Sequence, residues 1–147
     1  MEGIPKIKSK SKVRKENDEQ RYNVLVLDTS ASSSFLDSSG NIFYTADTAI
    51  DYVKSSAKKF IEGVQKADGT NYVAIVEYKG STANVVSEFS TDFVSLNAAI
   101  DGLYASQNTR NVAAGLQKAD TLINEISNPK AIKNVVLFTT GMTNDGE

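Results

Sequence analysis

Three short unbroken apolar runs constrain this chain more than any other feature: Val24-Leu25-Val26-Leu27, Val73-Ala74-Ile75-Val76 and Val135-Val136-Leu137-Phe138. A strand with one wet face alternates apolar with polar residues, so an uninterrupted run implies burial on both faces, as in a parallel sheet covered by helices. Helical patterns lie between them. Ala49, Ile50, Val53, Ala57, Phe60, Ile61 and Val64 recur at helical spacing, with Asp47 or Thr48 placed to cap the first turn and an end near Gly69. Phe93, Leu96, Ile100 and Leu103 mark a short helix opened by Thr91 or Asp92, and Val112, Leu116, Ala119, Ile123 and Ile126 mark another, ended by Asn128-Pro129. Lys79-Gly80-Ser81-Thr82 is too short for a crossover, which makes Asn84 to Phe89 the antiparallel hairpin partner of Tyr72 to Tyr78, at a sheet edge. A turn at Ser38-Ser39-Gly40-Asn41 separates the apolar pairs Phe35-Leu36 and Ile42-Phe43. The order strand, helix, strand, strand, helix, helix, strand predicts a layered α/β fold with a mostly parallel sheet and right-handed crossovers.

A chain of 147 residues has room for one domain, and 40% hydrophobic with 23% charged residues is an ordinary globular composition. Residues 1–20 read as a basic, solvated tail carrying Lys6, Lys8, Lys10, Lys12, Arg14 and Lys15, and the domain is expected over 21–147. No aromatic residue interleaves those lysines to stack on bases, and the net charge is -2, so no nucleic-acid partner is expected. No run reaches the ~18 apolar residues of a membrane span, so no membrane insertion is expected, and the chain shows no apolar block of a signal peptide. With no cysteine and no histidine, disulfides, thiol catalysis, Cys/His zinc sites and histidine-based triads are excluded. Any site is therefore built from oxygen ligands, lysine, arginine or backbone.

The first apolar run ends in Asp28-Thr29-Ser30-Ala31-Ser32. In extended backbone, alternate residues point the same way, so Asp28, Ser30 and Ser32 share a side. A loop at the carboxyl end of a central parallel strand lies where open α/β sheets bind ligands. One carboxylate and two hydroxyls suit a hard cation such as Mg²⁺, and they suit ordinary turn and cap chemistry equally well. Thr109, in Ser106-Gln107-Asn108-Thr109 before the last helix, offers a further hydroxyl, or else it or Asn108 caps that helix. The last strand ends in Thr139-Thr140-Gly141, placed to reach the same rim if it lies beside the first strand.

From Tyr22 onward these features resemble the von Willebrand factor type A family. Asp28, Ser30 and Ser32 match its Asp-x-Ser-x-Ser motif, Asn108-Thr109 through Gly115-Leu116 is similar to its second motif, and Asn134 to Thr139 resembles its fourth strand. The resemblance implies a three-layer Rossmann-like fold with one antiparallel edge strand. It further implies a metal-ion-dependent adhesion site, in which Ser30, Ser32 and Thr109 hold Mg²⁺ (or Ca²⁺ or Mn²⁺) directly, Asp28 acts through water, and a protein partner supplies an Asp or Glu carboxylate. Binding at the cell surface or after secretion, rather than catalysis, is the implied output.

Two departures modify these expectations. Thr140 stands where the family commonly has aspartate, and losing that charge is expected to weaken the cation by about 10²-fold if ~3 kcal/mol is lost. Asp145 could compensate by reaching back, although a solvated place in the Asn144-Asp145-Gly146 turn explains it as well. The pattern also stops short of the family's further C-terminal strands, so the fourth strand is expected at an exposed edge that invites self-association. A metal-free structural interaction module is the alternative. A haloacid-dehalogenase-like phosphatase is weaker, because Ser30 stands where a second aspartate would serve as general acid.

Overall fold

The computed structural model describes residues 19–30, 35–36, 42–44, 46–107 and 109–139. Strands β1 (Gln20–Asp28), β4 (Thr70–Lys79), β5 (Thr82–Ser90) and β6 (Ile132–Phe138) form one sheet in the order β5-β4-β1-β6. β1 is central and runs parallel to both β4 and β6, while β5 is the antiparallel edge. Between β1 and the first helix, β2 (Phe35–Leu36) and β3 (Ile42–Tyr44) pair antiparallel as a separate ribbon, and the turn expected at Ser38-Ser39-Gly40-Asn41 lies outside the described residues. The helices are α1 (Ala46–Gln65), α2 (Phe93–Asp101) and α3 (Val112–Asn124).

Alternate residues of the central strands feed two cores. Leu25, Leu27, Val73 and Ile75 pack with Val53, Ala57 and Ile61 of α1 and Leu96 and Ile100 of α2. On the opposite face, Val24, Val26, Ala74, Val76 and Tyr78 pack with Ala119 and Leu122 of α3. The result is the three-layer α/β/α arrangement that unbroken apolar runs require, since neither face of β1 or β4 is wet. A polar rung crosses the sheet: Asn134 Nδ2 donates to Asn23 Oδ1 at 3.0 Å, and Asn23 Nδ2 donates to the Tyr72 carbonyl at 3.2 Å.

Several boundaries differ from expectation. α1 begins at Ala46, so Asp47 and Thr48 lie within its first turn rather than at a cap. Asp92, one of the two residues expected to open α2, does cap it, its carboxylate accepting from Ser95 N and Oγ, but the helix ends at Asp101, short of Leu103. α3 starts at Val112 and is capped by Asn111, whose Oδ1 accepts from Ala114 N at 3.0 Å; neither Asn108 nor Thr109 is the cap. Its end comes at Asn124, short of Ile126 and Asn128-Pro129. The expected basic tail over 1–18 lies outside the described residues.

Candidate functional site at the carboxyl rim of the sheet

Parallel strands deliver their carboxyl ends to one rim, here Asp28 of β1, Lys79 of β4 and Thr139 just past β6. The loop between α2 and α3 crosses that rim and is stitched to it through backbone. Ser106 N donates to the Thr29 carbonyl at 3.0 Å, Thr29 N donates to the Tyr78 carbonyl at 3.1 Å, and Gly80 N donates to the Thr109 carbonyl at 2.7 Å. Bridges join Ser30 to Ser106 and Gly80 to Arg110. Gly80 adopts φ 60° and Gln107 φ 69°, the left-handed turns that let the loop double back against the strand ends.

Asp28 lies at the centre, its side chain 0% exposed. Oδ1 accepts from Ser30 N at 3.0 Å and from Ser30 Oγ at 2.7 Å. Oδ2 accepts from Thr139 Oγ1 and from Arg110 Nη1, each at 3.3 Å. The Arg110 side chain is 7% exposed. Beneath them the Tyr78 hydroxyl is buried without a hydrogen bond of ordinary geometry. Burial pushes its pKa up to about 12; the Thr139 hydroxyl draws it down, the Asp28 charge adds to the rise, and Arg110 opposes it. On the other side of the strand end, Thr29 Oγ1 donates to Glu77 Oε1 at 2.9 Å, Glu77 pairs with Lys79 at 3.6 Å, and Lys79 Nζ sits 4.6 Å from the centroid of the Tyr104 ring. Tyr104 itself is 68% exposed.

The structure thus brings Asp28 and Ser30 together on one side, as their two-residue spacing requires, and sends Thr29 to the other. Thr109 is exposed, with no hydrogen bond joining it to Asp28 among the described residues. The next residue, Arg110, takes the inward place, because successive side chains of extended backbone point opposite ways. Ser32, Thr140 and Asp145 lie outside the described residues. Sequence reasoning missed Arg110 and Tyr78. The available signal was a lone arginine directly before a helix cap, facing a loop whose one acid ends a buried strand.

As placed, these residues do not fit a divalent cation beside Asp28. Both carboxylate oxygens are engaged, and one of them by a guanidinium. An ion of charge +2 about 5 Å from that guanidinium would be opposed by ~7 kcal/mol at an effective dielectric near 20. Among the described residues no group of three or more acidic side chains gathers to offset this.

The chain matches the model of the von Willebrand factor type A domain over residues 23–143. It is 28% identical over 96 residues to the collagen alpha-1(VI) chain of Gallus gallus, a match covering 65% of this chain and 9% of that one. Its fold is similar to the vWF domain of the type V pili tip protein Mfa5 from Porphyromonas gingivalis, with TM-score 0.65, 19% identity, and coverage of 86% of this chain and 39% of the other. It is also similar to proximal thread matrix protein 1 from the mussel byssus, a structure with a zinc-occupied MIDAS motif, with TM-score 0.63, 17% identity, and coverage of 90% and 34%. The chain therefore spans less than half the length of each of these proteins. Sheet order, flanking helices and the matched residues agree: the chain belongs to the von Willebrand factor type A domain family.

Proposed function

We propose that this domain is a protein-binding adhesion module whose contact surface is the carboxyl rim of the sheet, where Tyr104 and Thr109 stand exposed over the buried Asp28 and Ser30. The observation that carries the reading is the convergence of three strand ends and the 103–111 loop on one rim, with Tyr104 exposed over Lys79 and hydroxyls and backbone groups around a neutralised acid. Exposed tyrosine on a rigid platform is the residue type that dominates protein interfaces. Binding is favoured over a phosphatase reaction because Asp28, the strand-end acid that such a reaction would use as nucleophile, is buried against Arg110 rather than open to a substrate. Relatives that are a collagen chain, a pilus tip protein and a byssal thread matrix protein support a place at the cell surface or in secreted material.

In the cation-dependent form of this reading, Mg²⁺ on Ser30, Ser32 and Thr109, with Asp28 behind water, would take a partner Asp or Glu. Arg110 disfavours that form. The test is a binding screen of the immobilised chain against extracellular-matrix and surface proteins, repeated with Tyr104→Ser plus Thr109→Lys and with Gln117→Lys on exposed α3 as a control. A ligand lost with the rim variant and kept with the control supports the reading. A ligand indifferent to the rim variant overturns it.

A second association is favoured by a separate observation. β6 is an edge of the sheet among the described residues, and it exposes Ile132, Val135 and Leu137, a surface suited to pairing with a second copy.

A further inference from the structure

The Asp28–Arg110 contact is the most deeply buried ion pair among the described residues, the two side chains being 0% and 7% exposed. The other pairs involve side chains that are at least 15% exposed. It is also held by more than two side chains meeting. The Gly80 to Arg110 bridge, the 2.7 Å bond from Gly80 N to the Thr109 carbonyl and the bond from Ser106 N to the Thr29 carbonyl fix the backbone on both sides of the arginine. Asp28 is fixed in turn by Ser30 and Thr139. A guanidinium delivered by anchored backbone to an anchored carboxylate is a built feature of the rim, not a surface side chain that has folded inward.

Charge makes the same point. Among the described residues, the cluster at the strand ends holds one acid, Asp28, and one base, Arg110, while Ser30, Thr139 and Tyr78 bring no charge. These described groups sum to zero charge. A strand-end acid of this kind without Arg110 would be a buried anion with hydroxyls around it, which is the environment a hard divalent ion seeks.

We propose that Arg110 is the resident cation of this rim: its guanidinium neutralises Asp28 and ties the 103–111 loop to β1, so that the site keeps its shape without a divalent ion. Arginine suits this role because a guanidinium is a permanent, weakly hydrated cation, here reaching Asp28 Oδ2 through Nη1 at 3.3 Å. The domain would then engage its partner equally in the presence of chelator, and a metal-bridged partner carboxylate would not be its mode of recognition. This concerns the rim named in the adhesion reading, but its test reads cation binding alone, so either can fail without the other.

The experiment is Mn²⁺ titration of the full chain followed by the loss of the free-ion paramagnetic resonance signal, together with melting curves in chelator and in about 10 mM Mn²⁺ or Mg²⁺. Wild type is expected to leave the Mn²⁺ signal unchanged and to melt at the same temperature in all three conditions. Arg110→Ser is expected to gain Mn²⁺ binding at least about tenfold tighter than wild type, with a Mn²⁺-dependent rise in melting temperature that Asp28→Asn abolishes in the double variant. Arg110→Lys, which keeps a cation in place, is expected to fold and to remain indifferent to Mn²⁺. Mn²⁺ binding by wild type that depends on Asp28 overturns the proposal. So does a folded Arg110→Ser that gains no binding, or an Arg110→Lys that binds Mn²⁺; if Arg110→Ser does not fold, the wild-type and lysine arms decide.

Discussion

Tyr78 places a phenol among Asp28, Arg110 and Thr139, and its hydroxyl is buried with no well-formed hydrogen bond to another side chain or backbone group among the described residues. Ionising it there is costlier than in the unfolded chain, where a tyrosine titrates at about 10; in the fold its pKa is pushed up to about 12. Above pH ~10 the unfolded state sheds its proton first, so it holds fewer protons than the native state and stability falls with rising pH. The contribution from Tyr78 is whole below pH ~10 and lost on the way to pH ~12, with a slope approaching 1.4 kcal/mol per pH unit. Tyr22, stacked on Tyr72 at 4.5 Å, is also raised, so the single variant isolates the effect. We expect Tyr78→Phe to leave stability at neutral pH within about 1 kcal/mol, since no good bond is lost, and to flatten the alkaline decline. Denaturant midpoints of both proteins across that range check it: parallel declines would mean the phenol is not the titrating group. Why the sequence led to Asp28 and Ser30 but past Arg110 is also a residue-scale matter. The first two follow from strand parity, which continues from the buried run before them. The phase of the 103–111 loop is set by Gly80 and Gln107 turning left-handed, and no periodic pattern carries it across to residue 109 or 110.

At the scale of elements, α3 lies close against the sheet at Gly115. A Cβ on Gly115 would lie 2.8 Å from Val26 Cγ1 and 2.9 Å from Tyr78 Cδ1, atoms of two fully buried side chains in central strands. Neither has room to yield, so the helix would have to lift off the core that Val24, Val26 and Ala119 build. Gly115→Ala is expected to cost about 1–2 kcal/mol net, with overpacking outweighing the gain of up to ~1 kcal/mol in helix propensity. Gly63 in α1 has nothing within 4 Å of its Cβ position, and Gly63→Ala is expected to stabilise by about 0.5–1 kcal/mol. Opposite shifts of the two denaturant midpoints at equal slope would bear this out, and a stabilised Gly115→Ala would show that α3 is not seated as described. The elements themselves were legible because burial on both faces writes itself into unbroken runs such as Val24–Leu27, and helical spacing into the Ala49 to Val64 series. Helix ends were less so. Asn108, Thr109 and Asn111 are all good caps by type, and the bridge from Gly80 to Arg110 holds Thr109 and Arg110 against the end of β4 ahead of the cap at Asn111.

For the whole molecule, the two edges of the sheet are managed differently. β5 is antiparallel and overlaid by α2 and α3, with Val85 and Phe89 packed partly against the second core. β6 turns Val136 and Phe138 inward, Phe138 meeting Phe60 edge-on at 6.4 Å, but leaves Val135 43% and Leu137 39% exposed. Its outer hydrogen-bonding edge has no partner strand among the described residues. A strand that is apolar on both sides and open along one edge is a template for pairing, and neither proline nor an inward charge interrupts it; Lys133 at its start is the one basic residue in its length. Two copies meeting along β6 would extend the sheet and cover both apolar faces at the seam. The 147-residue chain is therefore expected to associate as its concentration rises, and Val135→Lys with Leu137→Lys, which place charges at the seam without touching β1, are expected to return it to monomer while preserving the fold. Sedimentation velocity over about a hundredfold range of concentration around a micromolar Kd reads the outcome directly. A wild-type chain that stays monomeric throughout would show that this edge is protected in solution. An oligomer unmoved by the two lysines would place the contact elsewhere on the molecule.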